Sequence, residues 1–185
     1  VTGATATSGE YLDSLVSVMN EHFADVLAAN EQFAATYSSG HLEGTAKRGL
    51  AIVTCMDSRI DPLRMLGLAQ GDAKILRNAG ARVTDDVLRT LVLAVHLLGV
   101  HRVMIMAHTD CRMTKVTDDQ VHDAILTAGG LDTRSLEFGA ISDQPAVLAR
   151  DVQRVRSSPY LPDELLVLGG VYDLDTGLIE VLVTE

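Results

Sequence analysis

The stretch AIVTCMDSRIDP, residues 51–62, decides how the chain is read. The run GLAIVT (49–54) is apolar and rich in β-branched residues, and it ends in a thiol, an acid and an arginine spaced two apart. A short apolar run without alternation predicts a strand buried on both faces, as in a parallel sheet. Asp61 and Pro62 directly after it read as an N-cap followed by proline at the first helical position. A buried strand running into a helix is the start of a parallel, crossover-connected sheet.

Working outward, Gly67 and Gly71 bracket the exit of that short helix, and AKIL (73–76) is a second strand. Thr84 is placed to cap a helix over DDVLRTLVLAVHLLG, with Asp85 and Asp86 in the first turn, where the helix dipole favours acids. Gly99 ends that helix, and RVMIMA (102–107) is a third buried strand. Helical patterns follow at 118–128 and 144–157. ELLVLGGVYDL and LIEVLV then flank Asp175-Thr176-Gly177, a turn between two strands. This order predicts an α/β fold: a mostly parallel central sheet flanked by helices, with an antiparallel pair at its C-terminal edge.

Upstream, SSGHLEG reads as a loop. Residues 10–36 carry Leu12, Leu15, Val16, Met19, Phe23, Val26 and Leu27 at three- and four-residue spacing, one apolar stripe on a long N-terminal helical arm broken at most once. Such a stripe suits packing on its own domain or on a second subunit. Residues 1–9 read as a short mobile tail, and the length of 185 residues suits one domain, 1–185.

The net charge of −10, with no run of lysine or arginine, argues against a phosphate-tracking surface and so against nucleic acid as a partner. No apolar stretch approaches the roughly 20 residues that span a bilayer, so no membrane partner is expected. VTGATATSGE has neither the basic nor the apolar region of a signal peptide. The expectation is a cytoplasmic chain whose two cysteines stay reduced, free for metal binding or catalysis. A disulfide between them is the competing reading, and it ranks below a metal site because each thiol has suitable company.

The second cysteine lies in VMIMAHTDCRM (103–113), again just past an apolar run. In open α/β sheets, ligands sit outside the carboxyl ends of the strands. Cys55 follows the first strand, and His108 and Cys111 follow the third, so the three converge if those strands are neighbours. Two thiolates and one imidazole suit zinc, and three protein ligands leave a fourth position open, the mark of a catalytic rather than a structural site. His22, His41, His96, His101 and His122 have no ligand partner nearby in sequence, and His96, inside an apolar helix, reads as a structural histidine. In an extended segment, positions 55, 57 and 59 project to one side. Asp57 can then accept a hydrogen bond from a zinc-bound water or take the fourth position itself, with Arg59 holding its carboxylate by a bidentate pair; the plainer alternative is a surface ion pair. Bound zinc lowers the pKa of water from about 15.7 towards about 7. Two thiolates temper that effect. The chemistry expected is attack by zinc-bound hydroxide on a small electrophilic carbon.

Three motifs in order, C-x-D-x-R after the first strand, RNAG at 77–80 and H-x-x-C after the third, resemble the β-class carbonic anhydrases. The similarity runs from about residue 46 to the end and includes LGLAQGD and GGVYDLDTG. The resemblance implies reversible hydration of CO2 to bicarbonate and a proton, with Cys55, His108 and Cys111 as zinc ligands. It also implies that Asp57 either ligates zinc in a closed state or swings onto Arg59 in an open one. Further, it implies a homodimer or dimer of dimers with N-terminal helices laid over the neighbour, which would account for the stripe at 10–36. Two positions depart from the family pattern. Arg112 stands where glycine is typical, and Gly170 where a bulkier residue is expected. Within the same fold, hydrolysis of carbon disulfide or carbonyl sulfide is the alternative activity. A non-catalytic zinc-binding relative disabled by Arg112 is opposed by the intact Asp57 and Arg59. A thiol redox protein lacks C-x-x-C and leaves His108 idle.

Overall fold

The computed structural model describes residues 21–38 and 40–183. The chain divides into two compact units, residues 1–41 and 42–185. In the first, helix α1 spans Ala24–Thr36 and buries none of its residues. Phe23 precedes it in a turn conformation, φ −115° and ψ 10°. Phe23, Val26 and Leu27 are exposed. The rest of the expected arm, with Leu12, Leu15, Val16 and Met19, and the tail at 1–9 lie outside the described residues.

The second unit carries a five-stranded sheet in the order β2-β1-β3-β4-β5. The strands are β1 (Leu50–Cys55), β2 (Ala73–Asn78), β3 (Arg102–His108), β4 (Leu166–Tyr172) and β5 (Ile179–Val183). The first four run parallel, and β5 is antiparallel to β4. Helices α2 (Pro62–Met65), α3 (Asp85–Leu97), α4 (Asp118–Gly129) and α5 (Gln144–Arg156) connect them. The α/β fold expected from the sequence is the fold observed. Three strands run further than the apolar runs suggested, β2 as far as Asn78. β1 includes Cys55 and β3 includes His108, so each supplies a site residue from its last position.

The pleat explains why the middles of β1 and β3 are apolar. Ala51, Val53, Val103 and Ile105 face one side, where Leu91 of α3 and Leu148, Val152 and Val155 of α5 complete a core. Ile52 and Met106 face the other, with Ile60, Cys55 and Cys111. Alternate residues in the middle of each strand therefore enter two different apolar clusters, and the buried Thr54 satisfies its hydroxyl by donating to the Met106 carbonyl at 3.0 Å.

The helix signals are met atom by atom. Asp61 accepts the Arg64 N–H at 3.2 Å with Pro62 behind it, and Thr84 accepts the Val87 N–H at 3.4 Å. Thr117 and Gln120 form a reciprocal capping box at the start of α4. His96 corrects its expectation in part. It lies on the exposed side of α3 rather than in the core, and its Nε2 is satisfied by the Tyr160 carbonyl at 2.8 Å.

Gly170 also finds its reason here. The β4–β5 pairing is irregular between Gly169 and Gly170. A Cβ on Gly170 would stand 2.9 Å from Ile179 Cγ2 and 3.0 Å from the Glu180 carbonyl oxygen. The bulkier residue expected from the family pattern does not fit against this β5.

Candidate metal centre

Because β1 and β3 are neighbours, their carboxyl ends bring the two cysteine-bearing junctions together. One ligand atom from each of Cys55, His108 and Cys111 lies within 4.8 Å of the others, and all three residues are buried. His108 sits at the end of β3, in register with Tyr172. Asp110 then turns the chain with φ +58°, a left-handed conformation that aspartate tolerates better than most residues. Cys111 opens a 3-10 turn, Arg112–Thr114, in which the Thr114 hydroxyl and N–H both donate to the Cys111 carbonyl.

The His108 tautomer follows from its neighbour. Nδ1 lies 2.8 Å from the Thr109 carbonyl oxygen, which can only accept, so Nδ1 carries the hydrogen. Nε2 is left with a lone pair. Among the described residues it is the buried side-chain nitrogen or oxygen with no hydrogen-bond partner. A buried lone pair facing two thiols is costly in a metal-free chain and apt for a metal ion. The donor set of two sulfurs and one nitrogen fits zinc, with a fourth position left over.

The two thiols share their protons unequally. The neighbouring Cys111 thiol first, and then the His108 ring and the Gly80 and Asp57 N–H groups, hold Cys55 well below the usual thiol range against the cost of burial. Its hydrogen bond to Cys55 and burial push Cys111 up. Burial opposes a charged His108 ring, but the Cys55 sulfur outweighs it, and the net direction is up. A cation entering here releases the proton the pair holds between them.

Asp57 and Arg59 meet the site by a different route from the extended segment expected. Residues 57–60 form a turn: the Ile60 N–H donates to the Asp57 carbonyl at 3.1 Å, and the Arg59 N–H to Asp57 Oδ1 at 3.0 Å. The turn folds the guanidinium back over the carboxylate. Arg59 Nε reaches Oδ1 at 2.9 Å and Nη2 reaches Oδ2 at 2.7 Å, a bidentate pair. Asp57 thus lies on Arg59 and outside the Cys55–His108–Cys111 group, with Oδ2 still 3.9 Å from His108 Nε2. The hydrogen bonds from Arg59 hold its carboxyl well below the usual carboxylate range.

Four residues to which the sequence assigned no role support the centre. Arg77 donates from Nε to the Cys55 carbonyl at 2.9 Å and from Nη2 to the Asp57 carbonyl at 2.7 Å. Gln144 donates to the His108 carbonyl at 3.0 Å. Asp110 accepts Arg59 Nη1 at 2.8 Å and also pairs with Lys115; Lys115 first and then Arg59 hold its carboxyl at about 2. Gly80, in the RNAG stretch, has φ +82°, and a Cβ there would stand 3.0 Å from Ile141 Cδ1. The motif marked Arg77 and Gly80 without their roles, and nothing in local sequence marks Gln144. Arg112 is exposed and has an ordinary negative φ, and its side chain makes no hydrogen bond or ion pair among the described residues. Its backbone does not call for glycine.

A family model described as carbonic anhydrase matches residues 50–179. β-Carbonic anhydrase 1 of Mycobacterium tuberculosis is 37% identical over 154 residues, covering 83% of this chain and 93% of that protein. Carbon disulfide hydrolase of Saccharolobus solfataricus is 30% identical over 165 residues, covering 76% of this chain and 80% of that protein. The crystal structure of a carbonic anhydrase from Streptococcus mutans superposes with a TM-score of 0.82 at 35% identity, covering 88% of this chain and 98% of that one. The shared sheet, the matched length and the donor set at the strand ends agree, and the chain belongs to the β-carbonic anhydrase family.

Proposed function

We propose that the chain is a zinc-dependent lyase that interconverts CO2 with bicarbonate and a proton. The observation that carries this is the unpartnered, buried Nε2 of His108, grouped with the Cys55 and Cys111 sulfurs beside the Asp57–Arg59 pair. Cys55, His108 and Cys111 hold the metal ion. When bound, zinc supplies a nucleophile from water near neutral pH. Asp57 would gate the remaining position: held by Arg59 it would leave that position to water, and released it would be free to take the position itself. Arg59 sets the balance between the two, and Arg77 fixes the backbone from which Cys55 and Asp57 project.

The second reading keeps this centre and changes the substrate to carbon disulfide or carbonyl sulfide. The similarity to the Saccharolobus carbon disulfide hydrolase favours it, at lower identity than the similarity to the mycobacterial carbonic anhydrase. The chain works as a homodimer or dimer of dimers, a reading supported by exposed Val26, Leu27 and Phe33 on α1 and by Leu93 and Leu97 on α3. Two buried free thiols support a reducing, cytoplasmic setting. No helix among the described residues is long and apolar enough to cross a membrane, and a net charge of −10 supports a chain with no nucleic-acid partner.

The test is stopped-flow CO2 hydration and carbon disulfide hydrolysis on protein of known zinc content. Turnover of CO2 that disappears when zinc is chelated and returns on reloading supports the reading. Turnover of carbon disulfide alone moves the assignment to the second reading. His108→Ala and Cys111→Ser should each lose metal by more than the roughly 10- to 100-fold typical of an outer-shell change, and full zinc retention in either removes that ligand.

A further inference from the structure

Arg59 is engaged on two sides. Nε and Nη2 hold Asp57, while Nη1 donates to Asp110 Oδ2 at 2.8 Å and Nη2 also reaches the Asp110 carbonyl at 3.3 Å. Asp110 stands between His108 and Cys111, in the left-handed turn that sets their separation. Its second carboxylate oxygen accepts from Lys115, just past the 3-10 turn. The carboxylate is thus anchored at both oxygens. It ties an arginine that follows β1 to the ligand-bearing turn that follows β3.

The two acids do not compete for the same side-chain contacts. Asp57 uses one edge of the guanidinium, and the Asp110 carboxylate uses the nitrogen that edge leaves over. This matters when Asp57 moves. If Asp57 leaves for the fourth metal position, Arg59 loses its bidentate partner and retains only what Asp110 offers. A long, half-exposed side chain with no remaining anchor would disperse among rotamers, and recapturing Asp57 would require ordering it again. A planar fork already held in place gives up less freedom per hydrogen bond formed.

We propose that Asp110 is a positioning residue that keeps Arg59 oriented over the metal centre while Asp57 is away from it. The inference rests on the Asp57–Arg59 gate described above. Asp110 lies outside the Cys55–His108–Cys111 group and acts through Arg59. Without it, the open arrangement loses ground and Asp57 spends more of its time on the fourth position.

The experiment follows the Arg59 side chain by nitrogen-15 NMR in zinc-loaded protein, in which a guanidinium held through Nη1 rotates slowly about its Cζ–Nη1 bond and a free one rapidly. Four forms are compared: the parent chain, Asp57→Ala, Asp110→Gly and the double variant. Glycine takes a φ of +58° freely, so the turn is kept. Arg59 should remain held in Asp57→Ala and become mobile only in the double variant. Equal mobility of Arg59 in Asp57→Ala and in the double variant overturns the proposal. If Asp110→Gly sheds zinc, the comparison is made with Lys115→Met, which leaves the turn untouched and should loosen Arg59 in the Asp57→Ala background; no loosening there overturns it too.

Kinetics separate this proposal from the reading beneath it. Asp110→Gly should lower kcat roughly tenfold at unchanged zinc content, with Asp110→Asn in between because it keeps one acceptor oxygen. Parent-like kcat in Asp110→Gly, with Arg59→Ala impaired, sinks the positioning role and leaves the gate standing. Parent-like kcat in both Asp57→Ala and Arg59→Ala sinks the gate, while the NMR comparison still decides whether Asp110 holds Arg59.

Discussion

The Asp57 carboxylate and the Arg59 guanidinium lie two residues apart and are joined by parallel hydrogen bonds of 2.9 and 2.7 Å, with the Arg59 N–H adding a third at 3.0 Å. A lysine cannot reproduce this, because it is a point charge without a fork. Arg59→Lys should keep its zinc and lose roughly 10- to 100-fold in turnover, as outer-shell changes at metal sites do. The direction with pH follows from competition. Asp57 stays anionic through the working range, since Arg59 holds its carboxyl low. With the fork gone, Asp57 competes better for the fourth position, so activity should begin at a higher pH. A pH–rate profile that superposes on the parent's would show that the pair has no part in gating.

Arg77 is the second prediction. It crosses from β2 to grip the Cys55 and Asp57 carbonyls at 2.9 and 2.7 Å, so one side chain fixes the backbone of a proposed ligand and of the proposed gate. Arg77→Gln cannot span both carbonyls. Zinc affinity, read by competition with a chelator, should fall by roughly 10- to 100-fold. Unchanged affinity together with unchanged turnover would reduce Arg77 to a surface contact.

The sequence made the centre legible because strand ends are where α/β sheets place ligands, and both thiols fell there. Cys55, His108 and Cys111 could be read as one set without coordinates. What could not be read was whatever depends on long-range contact. Gln144 reaches the His108 carbonyl across 36 residues, and Arg59 reaches Asp110 across 51. No local pattern encodes either. The turn at 57–60 was also missed, since an apolar strand followed by polar residues reads as extended until the Asp57 side chain is seen accepting the Arg59 N–H. The sheet was clearer than its edges: β2 continues through Arg77 and Asn78 because pairing with Thr54 and Cys55 continues, not because those residues favour a strand.

Arg112 supplies the third prediction. Its exposed side chain has no polar partner among the described residues, and its φ is ordinary. Arg112→Gly should therefore leave zinc content and turnover unchanged. Its cost should be about 0.5–1 kcal/mol of stability from the freer unfolded chain. A clear gain or loss in kcat for CO2 or carbon disulfide would instead place the guanidinium in the path of the substrate.

Asp118 makes the pH dependence of stability testable away from the metal. Its carboxylate accepts the N–H groups of Ala140, Phe138 and Gly139 at 2.8, 3.0 and 3.3 Å, stapling the loop after α4 to the start of that helix. Those hydrogen bonds, Ala140 first, hold its pKa down. A carboxyl depressed in the folded state contributes fully above its unfolded pKa, about 3.9, and loses that contribution as pH falls through the folded value. Asp118→Asn keeps one acceptor oxygen. It should lower Tm at pH 7, and the gap from the parent should narrow towards pH 3. A gap that stays constant with pH would mean that shape, not charge, makes the staple.

Gly170 ties the C-terminal edge to the strand that carries Tyr172 opposite His108. The Cβ of an alanine there would meet Ile179 Cγ2 at 2.9 Å and the Glu180 carbonyl oxygen at 3.0 Å. The first is the branch of a stiff side chain and the second is backbone, so neither yields by a simple rotation. Gly170→Ala should cost about 1–3 kcal/mol, the range of a modest overpacking. Because β5 is the outermost strand, relief comes from shifting β5 rather than β4. Hydrogen exchange should therefore rise along Ile179–Val183 while β3 and the metal content stay as they are. A thermal midpoint equal to the parent's, with β5 equally protected, would mean that the edge re-pairs around the added methyl at no cost.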